Sequence, residues 1–148
     1  MIKIIRELLP KSRMQHKQSV ANWMEAVQIA SAPLLDEGFI EEEYINAMIE
    51  SVNTNGPYIV LKDYFALPHA QAGKGVQKKG MSLLTLEQPV DLKGNPIKNF
   101  LVLAAIDSNS HLEALSDLSN LLMNDDIYEV FIAGDISKID TILESMVD

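Results

Sequence analysis

His69 closes a short apolar run, Phe65-Ala66-Leu67-Pro68-His69-Ala70. Pro68 fixes its own φ and drives Leu67 toward extended geometry, so the run predicts a strand end that aims the imidazole in a defined direction. Ala66 and Ala70 leave room beside the ring, and a glycine-bearing stretch follows over residues 71–75. A second histidine, His111, ends the run Asp107-Ser108-Asn109-Ser110-His111, in which Ser108, Asn109 and Ser110 are candidate helix caps and which follows the most apolar stretch, 100–106. Both histidines are thus expected beyond the carboxyl ends of strands, where open α/β sheets bind ligands. A neutral imidazole, with an ordinary pKa of about 6.5, is a competent nucleophile near neutral pH. Phosphate is a natural electrophile for such a site, and a helix start facing the same crevice would add an anion-binding end. His16, on a weakly alternating segment, reads as a surface residue.

Other chemistries fit the residues less well. His69, His111 and Asp107 are metal-ligand types, but no H-x-x-x-H or H-E-x-x-H spacing pre-forms a site, so no metal is expected. A serine hydrolase needs a positioned nucleophile, and Ser108 and Ser110 are better used as caps. Neither G-x-x-x-x-G-K-[ST] nor G-x-G-x-x-G occurs. Lys74, Lys78 and Lys79 lie in a loop that could meet a phosphate, although such loops are usually only solvated.

The elements that must position these residues follow from periodicity. Residues 1–10 predict a short amphipathic helix and 12–16 an edge strand with Arg13 and His16 exposed. Ser19 is read as the cap of a helix carrying Val20, Trp23, Val27, Ala30 and Leu34 on one face. Residues 41–52 predict a second helix, opened by Glu41-Glu42-Glu43 against the helix dipole and stopped by Asn53-Thr54-Asn55-Gly56-Pro57. Residues 58–61 read as a buried strand, 65–67 as its continuation, and 81–86 as another strand. Residues 88–99 read as a polar connection, 100–106 as a central strand, and 111 onward as a helix with Leu112, Leu115, Leu118, Ser119 and Leu122 on one face. A last short strand over 128–133 and a closing helix over 136–147 complete the expectation. Interleaved strands and helices favour a three-layer α/β/α sandwich around a central mixed β-sheet.

The chain has 148 residues, the span of one domain over 1–148 with a sizeable core. Its net charge of -9 argues against a nucleic-acid backbone as partner. The lack of cysteine excludes disulfides, thiolate metal sites and a cysteine nucleophile. No apolar run is long enough for membrane insertion and no cleavable leader is evident, so a cytoplasmic location is expected.

Taken together, Asn55-Gly56-Pro57-Tyr58-Ile59-Val60, Ala66-Leu67-Pro68-His69-Ala70 and Asp107-Ser108-Asn109-Ser110-His111 resemble the enzyme IIA proteins of the sugar phosphotransferase system (PTS) over nearly the whole chain. The resemblance is to the fructose–mannitol type, closest to its ascorbate-type branch. It implies a phosphoprotein whose His69 accepts a phosphoryl group from the phosphocarrier protein HPr. That group passes to a cysteine of the cognate enzyme IIB, for sugar uptake through membrane enzyme IIC. His111 is implied to support the phosphorylated ring, with Ser110 among the donors to the phosphate. No cofactor is implied, and a homodimer is left open. Ascorbate-type members usually carry Pro-Gly before the motif and arginine just after the histidine, where this chain has Asp63-Tyr64 and Gln71. Lys62 and Lys74 are the nearest substitutes for that lost charge. Those departures also frame an alternative, a PTS-linked regulatory module in which phosphorylation of His69 acts only as a switch.

Overall fold

The computed structural model describes residues 3–147. Its elements are α1 (Lys3–Leu8), β1 (Met14–Lys17), α2 (Trp23–Asp36), α3 (Glu42–Asn55), β2 (Val60–Lys62), β3 (Tyr64–Ala66), β4 (Gly80–Leu92), β5 (Asn95–Ala104), α4 (Ser108–Leu122), α5 (Asp125–Ala133) and α6 (Ile136–Ser145). The sheet order is β1-β4-β5-β3-β2. β1 runs parallel to β4 and β3 parallel to β5, whereas β4–β5 and β2–β3 are antiparallel. The sheet is therefore mixed, with β5 at its centre, as the apolar run over 100–106 predicts.

Alternation along the strands builds two cores. Leu84, Leu86, Phe100 and Val102 face α2 and α3, packing with Val27, Leu34, Tyr44 and Met48. Met81, Leu83, Leu101 and Leu103 face the other way, against Ile5, Leu118, Phe131, Ile139 and Leu143. Helices thus cover both faces, giving the expected α/β/α sandwich.

Several local expectations are overturned. Residues 88–99 are not a connection: β4 and β5 form one long hairpin closed at Lys93-Gly94, where Leu92 pairs with Asn95. Both turn residues have positive φ, 53° and 98°, the geometry of a two-residue hairpin turn. Pro89 lies within a register shift between Thr85 and Val90, where a missing N–H costs no ladder bond. Residues 128–133 are helical, not a strand. Asn124 accepts from the N–H groups of Asp126 and Ile127 to start α5, and Gly134 ends it in the left-handed region. Ile127 and Phe131, four residues apart, supply its buried face.

Residues 58–61 hold only the start of a three-residue edge strand, with Tyr58 and Leu61 exposed. The first strand also begins later than expected, after a 3-10 turn over Lys11–Arg13, and Arg13 is buried rather than exposed. Its guanidinium donates to the carbonyls of Met81 and Leu8 and pairs with Glu37 at 3.0 Å. His16 is exposed, as expected. Asn22, not Ser19, caps α2, accepting from the Glu25 N–H. The expectation for residues 1 and 2 lies outside the described residues.

Candidate functional site

β3 and β5 are neighbours running in the same direction, with Ala66 paired to Phe100. Their carboxyl ends therefore open at one place. Leu67 and Pro68 carry the chain from β3 to His69, and the Leu103 N–H donates to the Pro68 carbonyl at 3.0 Å, tying that exit to β5. From β5 the chain passes through residues 105–107 into α4, where His111 ends the first turn. The two imidazoles meet with ring centroids 5.1 Å apart, tilted by 48°. The pairing expected from the two strand exits is thus present.

α4 begins with a cap that the sequence reading assigned to the wrong residues. Asp107 is the N-cap: its carboxylate accepts from the Ser110 N–H at 2.8 Å, and the Ser110 hydroxyl accepts in return from the Asp107 N–H at 3.3 Å. These bonds hold the Asp107 carboxyl below its ordinary range, with Lys79 adding a favourable charge. Ser110 therefore has its hydroxyl turned into the cap, while Ser108 lines the cleft beside the histidines. Leu112 is likewise not on the buried stripe. It is 61% exposed at the cleft rim, and Ala114, Leu118, Leu121 and Leu122 face the core instead.

The cleft measures about 590 Å³. One wall is the end of α3, with Ser51 and Asn55; the other is the start of α4, with Ser108, His111 and Leu112; Tyr58, His69, Ala70, Gln71 and Ala72 lie between them. The lining carries hydroxyls, amides and imidazoles and no formally charged side chain. The N-terminal end of α4 adds a partial positive charge that suits an anion.

His69 is half-buried and its bonds fix its chemistry. Nδ1 lies 2.6 Å from the Leu67 carbonyl oxygen. A carbonyl only accepts, so Nδ1 carries the proton and Nε2 presents a lone pair. Burial pulls the His69 pKa below its ordinary value; the Leu67 bond opposes this and His111 reinforces it. The ring is neutral at physiological pH.

Two tyrosines hold the segment, and neither stood among the expected site residues. The Tyr58 hydroxyl donates to the His69 carbonyl at 2.6 Å, and its ring meets the imidazole edge-on with centroids 5.2 Å apart. The buried Tyr44 hydroxyl donates to the Leu103 carbonyl at 2.6 Å and accepts from the Ala70 N–H at 3.1 Å. Burial pushes its pKa up to about 12. Tyr44 lies on the buried face of α3, and nothing in its helical spacing marks the tip of the ring as polar support for the loop.

The comparison with known proteins agrees with this geometry. The family model "Phosphoenolpyruvate-dependent sugar phosphotransferase system, EIIA 2" matches residues 7–146. The mannitol-specific cryptic phosphotransferase enzyme IIA component of Escherichia coli K12 is 38% identical over 136 residues, covering 90% of this chain and 92% of the relative. An ascorbate-specific PTS EIIA component of Salmonella choleraesuis is 34% identical over 113 residues, covering 74% and 73%. The solution structure of the E. coli cryptic mannitol IIA superposes with a TM-score of 0.86 at 37% identity, over 94% of this chain and 97% of that one. The fold recurs at 23% identity and a TM-score of 0.71, over 90% and 92% of the two chains, in the E. coli mannitol IIA solved in complex with phosphorylated IIB.

The family match spans nearly the whole chain, and the relatives are named as IIA components of phosphotransferase systems, so the protein is an IIA-type phosphotransferase component. The chain belongs to the PTS EIIA 2 family.

Proposed function

We propose that this protein is a cytoplasmic phosphocarrier whose His69 accepts a phosphoryl group from phospho-HPr and hands it to a cysteine of a cognate enzyme IIB. The system it serves takes up ascorbate or a related sugar through membrane enzyme IIC, and residues 1–148 act as one EIIA unit. The carrying observation is the 2.6 Å bond from His69 Nδ1 to the Leu67 carbonyl, which leaves the Nε2 lone pair free. Named relatives with mannitol and ascorbate specificity support the substrate class. The complex of the mannitol IIA with phosphorylated IIB supports the partner.

In the first step Nε2 forms a bond to phosphorus as the bond to the donor atom of HPr breaks, its electron pair leaving with HPr. No base is needed, because Nε2 already lacks a proton. In the second step the sulfur of the IIB cysteine takes the phosphorus and Nε2 regains its lone pair. Such transfers depend on positioning and on donors to the oxygens that carry the spreading charge. His111, 5.1 Å away ring to ring, stands where it supplies one donor. Ser110 serves the phosphoryl group through the helix start it locks, and Ser108 lines the same cleft.

Incubation with phosphoenolpyruvate, enzyme I and HPr, followed by intact mass measurement, tests the assignment. The wild type should gain one acid-labile phosphoryl group and His69→Ala none. A wild type that gains nothing, or a His69→Ala protein that still gains it, overturns the proposal. Onward transfer to an IIB cysteine separates a carrier from a switch.

A further inference from the structure

Phosphorylation brings nearly two negative charges into a cleft whose own lining contains no lysine or arginine. Of the cations named from the sequence, Lys62 and Lys74 stand as substitutes for the arginine position, and the structure separates them. The Lys62 ammonium donates to the Leu122 carbonyl at 2.9 Å and lies 4.2 Å from the centre of the Tyr128 ring, where it closes the C-terminal end of α4. It is already committed, and it does not line the cleft. Lys74 is exposed and enters no ion pair among the described residues.

Lys74 borders a groove of about 310 Å³ along α3 that abuts the histidine cleft, the two sharing Ser51, Asn55, Ala70 and Gln71. Its backbone is pinned on both sides. The Gly73 N–H donates to the Ala105 carbonyl at 2.9 Å, and the Gly75 carbonyl accepts from the Glu41 N–H at 2.9 Å. Both glycines have positive φ, and a Cβ on either would press to about 3.0 or 3.1 Å against neighbouring atoms. The loop therefore fixes where the lysine starts and leaves its four-carbon stem free to turn. Glu43 and Glu50 line the neighbouring surface together with Lys74, and no salt bridge joins them to it among the described residues.

We propose that Lys74 is the phosphoryl-binding cation of this protein, crossing the shared wall into the cleft when His69 is phosphorylated. This rests on His69 being the phosphoacceptor. From the far end of the loop the lysine supplies a positive charge that the cleft lining itself lacks. An ammonium is a flexible point charge rather than a fixed fork, and it suits a group that must arrive after the chemistry and let go before the next transfer.

The test is the equilibrium distribution of phosphoryl groups between HPr and this protein, read by intact mass. A docking defect slows both directions equally and leaves that equilibrium unmoved, so the readout isolates stabilisation of the phosphorylated state. Lys74→Gln should shift it about tenfold toward phospho-HPr, the size of one charge-assisted hydrogen bond. Lys74→Arg should restore it to within about twofold, and Lys138→Gln, which removes an exposed cation on α6 that does not line the cleft, should leave it unchanged. An unshifted Lys74→Gln equilibrium, or an equal shift in Lys138→Gln, overturns the role of Lys74. A wild type that takes no phosphoryl group, or His69→Ala that keeps one, overturns instead the phosphoacceptor reading beneath it.

Discussion

Nδ1 of His69 stands 2.6 Å from the carbonyl oxygen of Leu67, two residues back along the chain. The residue that aims the ring by its backbone also selects its tautomer. In nitrogen-15 spectra at neutral pH, Nδ1 of His69 should carry the proton and Nε2 should resonate as an unprotonated nitrogen. Leucine at position 67 is replaceable by other apolar residues in this respect, since only its carbonyl is used.

The lowered pKa of His69 sets a direction for acid. Acceptance from phospho-HPr should persist as the pH falls below about 6.5, the ordinary histidine value, and fail only as it passes the lower folded value. Stability follows the same sign. The unfolded chain takes up a proton first, so His69 favours unfolding progressively as the pH drops from the ordinary value to the folded one. Chemical denaturation of wild type and His69→Ala across pH 7 to pH 5, a range of about two units around that ordinary value, should show a shallower slope in the variant.

Tyr44→Phe removes a hydroxyl that satisfies two backbone groups, the Leu103 carbonyl and the Ala70 N–H. A loss of about 1 to 3 kcal/mol in urea unfolding is expected, since the Leu103 carbonyl is left buried without that partner. The phenol pKa of about 12 adds an alkaline signature. Wild type should lose stability as the pH climbs through about 10 to 12, because the unfolded tyrosine ionises first, and Tyr44→Phe should lack that component.

Asp107→Ala removes the carboxylate that accepts from the Ser110 N–H, one of the two bonds of the cap at the start of the helix that carries His111. The amide of Ser110 should exchange faster with solvent, and acceptance of the phosphoryl group should slow while the remainder of the fold persists. Asp107→Asn keeps an acceptor oxygen and should retain most of the wild-type rate.

Lys93 adopts φ 53° at the first turn position of the β4–β5 hairpin, a place that favours asparagine. Lys93→Asn should raise stability by roughly 0.5 to 1 kcal/mol, measured by thermal melting, with phosphorylation unchanged.

Much of this architecture was legible because pattern and local chemistry agreed. The helical stripe from Trp23 to Leu34, the glutamates opening α3 and the apolar centre of β5 each follow from periodicity. The failures have physical causes. Residues 128–133 are rich in β-branched and aromatic side chains, yet Asn124 and Gly134 bracket them as a helix, and caps outweighed propensity. The hairpin went unread because its turn is Lys-Gly rather than Asn-Gly and its strand carries Pro89 at an irregularity. Arg13 looked exposed because a charge on an edge strand usually is, whereas here backbone carbonyls and Glu37 surround it. Of the site, the two histidines could be found from their positions after strands. The support given by Tyr44, Tyr58 and Ser108 depends on where three distant segments meet, and no spacing along the chain encodes that.

The turn at Lys93-Gly94 also has a practical meaning. β5 runs from that turn toward the histidines, so its 10 residues separate the two by roughly 30 Å. A fluorophore or surface tether introduced at this tip would leave the phosphoryl end facing outward and unobstructed. The hairpin thus supplies an oriented handle for watching partner proteins arrive and depart one molecule at a time.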